Sequence, residues 1–249
     1  MAFSMGDAAS TGQDETIATR LGRELPHVIA IDGPAAAGKS TVGRLLSERL
    51  GYPFLDTGAI YRAMTWTALH RGVDLSDDEA LSALAASLSI DIGPRPRDGI
   101  EPCTIFVDGD DVTRFLRDPE VEAAVSLVSR VAGVREALVK VQRDLAGRND
   151  VVMAGRDVGT VVLPNADLKV YLDASIGERA RRRFAELSAL GHAVTEADVA
   201  NDLQRRDRID SQRAVSPLQP ARDAVIVDTD GLTLEQVVDR VMGLVEERA

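Results

Sequence analysis

The run Gly33-Pro34-Ala35-Ala36-Ala37-Gly38-Lys39-Ser40-Thr41 brings together residue types that can hold a triphosphate. Its glycines let backbone N–H groups curl around a β-phosphate, and a helix starting there points its positive end at the same anion. The Lys39 ammonium lies within reach of β and γ oxygens, and the Ser40 hydroxyl can coordinate Mg²⁺. The apolar run His27-Val28-Ile29-Ala30-Ile31-Asp32 precedes the glycines and helix-forming residues follow them, which is the strand–loop–helix context the pattern needs. A guanine-reading switch would add an Asn-Lys-x-Asp element, but neither Lys140 nor Lys169 follows an Asn. The pattern therefore predicts nucleoside triphosphate binding used for group transfer.

An acceptor for the phosphoryl group calls for further cations. Asp56-Thr57-Gly58-Ala59-Ile60-Tyr61-Arg62 falls at a strand-to-helix turn, on the side of a parallel sheet where ligands collect. Thr57, the exposed N–H groups and Arg62 one turn on could hold an anion; equally, Thr57 could simply cap a helix whose Arg62 is solvated. Gly155-Arg156-Asp157-Val158-Gly159-Thr160 follows a second apolar strand, and its Arg-Asp pair reads either as site chemistry or as an internal ion pair pinning a loop. A third feature is the arginine-rich stretch with Arg179, Arg181, Arg182, Arg183, Arg205, Arg206, Arg208 and Arg213. Interleaved acids make a solvated helical face out of many of these. Three or four are expected to work, because a planar guanidinium suits a migrating phosphoryl group.

The elements that must position these residues alternate between strand and helix. Short strands are expected at Phe54-Leu55, Val151–Ala154, Leu168–Leu172 and Ala224–Val227, with Val151–Ala154 and Leu168–Leu172 buried. Helices are expected over 38–50, from Thr57 to about Arg71, over 118–130, 133–147, 176–190, 195–209 and 233–247. Ser76-Asp77-Asp78-Glu79 reads as a capping box that opens a further helix. Between Ile90 and Thr113, Gly93, Pro94, Pro96, Gly99, Pro102 and Gly109 punctuate short apolar runs, a hairpin-like texture expected of an inserted small sheet. The expectation is an α/β fold: a parallel sheet with helices on both faces. Residues 1–26 lack sustained apolar periodicity and read as a loose tail ahead of a P-loop body over 27–249.

Composition narrows the partners. The net charge of −11 disfavours non-specific nucleic-acid binding, so phosphates must meet a local cluster of cations. Arginine supplies 26 of the 29 basic residues and lysine only Lys39, Lys140 and Lys169, which makes each lysine position informative. Cys103 has no second cysteine to pair with, which suits a reducing compartment. No apolar run reaches membrane-spanning length, and Met1 to Glu15 lacks the basic residues of a leader. A cytoplasmic monomer without membrane or nucleic-acid partners is expected.

The chain resembles the bacterial cytidylate kinase family. The resemblance is carried by Ile31 through Ser40, Leu55 through Arg62, Gly155 through Thr160, Glu178-Arg179-Ala180 with Arg182-Arg183, and Arg213-Ala214-Val215 with Pro217-Leu218. It implies transfer of the γ-phosphate of ATP to CMP or dCMP with Mg²⁺, giving ADP and CDP or dCDP. It also implies an inserted monophosphate-binding segment over about 73–147 and an Arg-rich lid over about 179–213. Thr57, Tyr61, Arg62, Arg156 and Arg213 would surround the acceptor phosphate. Ser126, Arg135 and Asp157 would read the cytosine edge, and Asp210 with Arg206 would hold the ribose. Lys39, Arg182 and Arg206 are the expected catalytic cations. Ala154 stands where many family members carry Asp or Glu, which leaves Asp32 beside Ser40 as the expected link to the metal. The remaining readings are a P-loop kinase for UMP or a metabolite, and a non-catalytic nucleotide-binding module.

Overall fold

The computed structural model describes residues 25–93, 103–147 and 150–249. Of the expected tail only Leu25 and Pro26 fall within these residues, and Leu25 is 5% exposed, packed into the main core rather than loose. The described punctuation of the small sheet is Gly93 and Gly109; Pro94, Pro96, Gly99 and Pro102 lie outside the described residues.

The chain runs β1 (Val28–Asp32), α1 (Lys39–Leu50), β2 (Phe54–Asp56), α2 (Thr57–His70), α3 (Asp78–Ser87), β3 (Ile90–Gly93), β4 (Thr104–Val107), β5 (Asp110–Asp111), α4 (Pro119–Val128) and α5 (Ala132–Ala146). It continues through β6 (Val151–Ala154), β7 (Leu168–Asp173), α6 (Ile176–Ala189), α7 (Glu196–Ser211), β8 (Val225–Asp228) and α8 (Leu234–Glu247). The main sheet has the order β2-β6-β1-β7-β8, and every pairing in it is parallel. Strands buried on both faces need continuous apolar runs, and Val151-Val152-Met153-Ala154 is buried at every position.

Val42 and Leu46 of α1 and Val238 and Val241 of α8 cover one face through Ile29, Ile31, Val170 and Leu172. Val139 of α5, with Val158 and Val162 after β6, covers the other through Ala30 and Met153. The order reverses at β1, so its carboxyl end opens a crevice between β6 and β7. Among the described residues, no helix is long and apolar enough to cross a membrane.

The segment between α2 and β6 has its own core. Leu81, Ile105, Val128 and Leu138 pack with Ile60 and Met64 of α2, and β3-β4-β5 form an antiparallel sheet. Two caps differ from expectation. Ser76 does not cap α3: its N–H and hydroxyl donate to Asp74 at 2.8 Å, while the Asp77 carboxylate accepts from Glu79 and Ala80 N–H. At α2 the cap is Asp56, which accepts from Gly58 N–H at 2.9 Å, not Thr57. In both cases a full negative charge meets the positive end of a helix, a stronger pairing than a hydroxyl provides.

Candidate active site

The phosphate loop leaves β1 at Gly33, whose φ of 149° and position leave no room for a side chain. A Cβ there would sit 2.1 Å from the Leu172 carbonyl oxygen. Gly38 (φ 89°) then turns the chain into α1. Lys39 is buried and donates to the Pro34 carbonyl at 2.6 Å, arching back over the loop. Burial pushes its ammonium well below the usual range and the Arg156 charge adds to this, while Asp56, Asp32 and Asp210 pull the other way. Lys169, the other buried lysine, is bonded to the Pro164 carbonyl and the Asp223 carboxylate within β7's surroundings.

Ser40 donates to Asp56 at 2.9 Å. Asp56 thus joins the loop to the N-terminus of α2, and it also pairs with Arg62 at 3.4 Å. Burial raises its carboxyl, but the charges of Arg62 and Arg117 and the Ser40 hydroxyl outweigh this and hold it below the usual carboxylate range. Asp32 is used differently. It accepts from the N–H groups of Val158 and Gly159, both at 2.7 Å, bracing the π-helical turn Val158–Val162 against β1. Burial pushes Asp32 up to about 6, against those two hydrogen bonds.

A cleft of about 590 Å³ opens in front of the loop. The residues from Ala35 to Thr41 form one wall, and Thr57, Tyr61, Arg62, Ser126, Arg135, Arg156, Asp157, Arg182, Arg206, Asp210 and Arg213 all face the same space. Asp32, Gly33 and Pro34, which the sequence offered for the same site, are not among the residues lining this space.

The charged residues pair across long sequence distances. Asp157 does not pair with its neighbour Arg156; it accepts from Arg135 of α5 in a short contact, with both side chains almost fully buried. Arg135 also donates to the Ser129 carbonyl and lies over the Tyr61 ring, 5.2 Å from its centroid. Burial, against the Arg135 charge, pushes the Tyr61 hydroxyl up to about 12, so it remains a neutral phenol. Arg156 reaches Asp210 of α7 at 3.1 Å, and Arg213 donates to the Asp210 carbonyl, leaving its buried Nη2 without a hydrogen-bond partner. Thr57 donates to the Ala154 carbonyl at 3.0 Å.

The arginine-rich helices divide their guanidiniums. Arg179 is buried and structural, tying the Ala35 carbonyl of the loop to Ala174 and Asp207. Arg182 donates to Glu178 and twice to Thr229. Arg206 does not meet Asp210; with Arg183 it faces Glu122 of α4. Asp56, Arg117, Glu122 and Arg183 are cleft residues that sequence reasoning did not single out as site residues. Asp56 stood inside a quoted motif and Arg183 inside the arginine run, while Glu122 carried no local signal.

A phosphate loop at the reversal point of a parallel sheet, facing a cleft walled by arginines from several separate segments, defines a P-loop phosphotransferase. The family model for cytidylate kinase matches residues 29–247. The cytidylate kinase of Pelotomaculum thermopropionicum is 51% identical over 217 residues, covering 87% of this chain and 95% of the relative. That of Geobacillus kaustophilus is 50% identical over 220 residues, covering 88% and 96%. Among solved structures, a gluconokinase from Sinorhizobium meliloti 1021 aligns with 90% of this chain and 97% of its own at 18% identity and a TM-score of 0.47. The chain belongs to the cytidylate kinase family.

Proposed function

We propose that this chain transfers the γ-phosphate of ATP to CMP or dCMP, giving ADP and CDP or dCDP in pyrimidine nucleotide metabolism. The observation that carries the reading is the buried Asp157–Arg135 pair, which lines the same cleft as Lys39 and Ser126. A carboxylate accepts from an exocyclic amino group, and guanidinium and hydroxyl donors match the N3 and O2 acceptors, which is the pattern of cytosine and not of uracil. Family membership supports the same substrate.

The acceptor phosphate is bound by Thr57, Tyr61, Arg62, Arg156 and Arg213, and the buried unpartnered Nη2 of Arg213 favours this assignment. Asp210 holds the ribose, with Arg156 and Arg213 as its partners. The attacking phosphate oxygen is already ionised, so no general base is required. Rate enhancement comes from in-line positioning, from Lys39 and the arginines neutralising charge, and from exclusion of water. In this division Arg206 acts with Arg183 on the phosphoryl group, and Arg182 acts beside Thr229 at the nucleotide-donor wall.

The loop's own metal-facing groups are oxygens only: the Ser40 hydroxyl backed by the Asp56 carboxylate. No cluster of three or more His, Cys, Asp or Glu suited to a metal occurs among the described residues. Such a sparse, hard donor set suits Mg²⁺ bound largely through phosphate and water. When bound there, Mg²⁺ neutralises β- and γ-oxygens. Ser40 would be the direct ligand, and Asp56 would take the outer position expected of Asp32, whose oxygens are engaged by Val158 and Gly159. Residues from about 73 to 147 would serve as the acceptor-binding insert and those from about 179 to 213 as the lid, in a cytoplasmic monomer. A coupled ADP-release assay over CMP, dCMP, UMP, AMP and GMP tests the reading. CMP and dCMP are expected to give the highest kcat/KM by at least about tenfold; preference for another acceptor, or no turnover at all, overturns it.

A further inference from the structure

Glu122 projects from α4 to the meeting point of three parts of the molecule. Its Oε2 accepts from Arg206 of α7 at 3.1 Å and from Arg183 of α6 at 3.5 Å, and its Oε1 lies 3.8 Å from Arg117. Arg62 of α2 adds a further strong positive field. Three guanidiniums thus lie within 3.8 Å of one carboxylate, whose side chain is only 15% exposed and lines the cleft. Burial raises the Glu122 carboxyl, but these arginines outweigh it and hold it down at about 2, so it stays ionised. Arg62 also pairs with Asp56 and Arg183 with Glu186 at 2.8 Å, so Glu122 belongs to a shared ion network that lines the cleft rather than to a single pair. Carboxylate and phosphoryl oxygens engage the same guanidinium N–H groups, so the two compete directly.

We propose that Glu122 is a built-in surrogate for the phosphoryl group. It gathers Arg183 and Arg206 within the cleft, and it competes with nucleotide phosphates for them, so that it speeds product release at the expense of affinity. This rests on the reading that phosphates enter this cleft. Glu122 touches neither the loop nor the base-reading pair in the contacts observed, so its role is competition and positioning rather than chemistry.

The test is Glu122→Gln, which keeps shape and removes charge. Inorganic tripolyphosphate, titrated calorimetrically without metal, is expected to bind the variant about 10-fold tighter than wild type. With ATP and CMP, KM and kcat are both expected to fall about 10-fold while kcat/KM stays within about 3-fold, and the single-turnover rate of transfer is unchanged. A merely structural ion pair predicts the opposite: weaker or unchanged tripolyphosphate binding and a loss of kcat/KM. That outcome overturns the proposal. Should Glu122→Gln not fold, Glu122→Asp keeps the charge but withdraws it by one methylene, and tighter tripolyphosphate binding remains the expected sign, with weaker or equal binding overturning it. The tripolyphosphate arm is independent of CMP. Glu122-dependent anion binding in a protein that does not phosphorylate CMP would defeat the proposed function and spare this inference, and the converse result would do the reverse.

Discussion

The two ends of the cleft are built in different ways. At the donor end the site is mostly backbone: Gly33 and Gly38 set the path, α1 supplies its N-terminus, and one side chain, Lys39, reaches back to Pro34. At the acceptor end it is mostly paired side chains, joining Arg135 to Asp157 and Arg156 to Asp210 across the insert, the β6 loop and α7. A backbone cradle holds its shape whether or not its lysine is present. A network of buried ions holds the fold and the ligand with the same atoms, so removing one member should disturb both.

The largest expected effect sharpens this contrast. Lys39→Ala should lower kcat by about 10²–10⁴-fold through lost transition-state charge stabilisation. Its folded stability should be unchanged or slightly higher, because burial already disfavours the Lys39 ammonium. Urea unfolding beside steady-state kinetics separates the two quantities, and a large loss of stability would show that the donor end is not a backbone cradle. Asp157→Ala makes the opposite prediction. It leaves Arg135 buried and unpaired, which should destabilise the fold by about 3 kcal/mol as well as impair CMP binding. Unchanged unfolding of that variant would break the comparison.

Acid titration probes the same network one step out. Glu122 has a folded pKa of about 2 against 4.5 in the unfolded chain. A depressed carboxyl stabilises the fold above the unfolded value and loses that contribution as pH falls from 4.5 towards 2, an effect of about 3 kcal/mol. Wild type should therefore lose more stability than Glu122→Gln across that window; parallel curves would show that Glu122 is not held by its arginines. The smallest expected effect belongs to Thr57→Val, which leaves the buried Ala154 carbonyl without its hydroxyl donor. It should reduce stability by about 1 kcal/mol and raise KM for CMP more than for ATP. Equal changes in the two KM values would remove Thr57 from the acceptor end.

The same contrast explains what could be read from the sequence. The donor end is contiguous, so Gly33 to Thr41 and the flanking strand and helix were legible from local pattern. The buried strands were legible too, because apolar runs such as Val151–Ala154 have no other use. Partnerships at the acceptor end were not. Arg135 and Asp157 are 22 residues apart, Arg156 and Asp210 54, and Glu122 and Arg206 84, and only the folded topology brings them together. Sequence reasoning placed Arg206 with Asp210, whereas α7 turns Arg206 towards α4 and gives Asp210 to Arg156. It also weighed an Arg156–Asp157 pair, which adjacent residues facing different helices do not make. Glu122 was invisible because a glutamate in the first turn of a helix is ordinary, and the arginines that face it lie outside that helix.

The base-reading role of the buried pair is the central claim, and the ratio of kcat/KM for CMP to that for UMP tests it most directly. Wild type and Asp157→Asn should be compared, since the amide keeps the size of the carboxylate and can offer a donor to the uracil O4 as readily as an acceptor to the cytosine amino group. Wild type should favour CMP strongly, and the variant's ratio should shrink by about 10–150-fold, the worth of a charged hydrogen bond in a closed site. A ratio that stays put, even in a variant of much lower activity, would contradict base reading by Asp157.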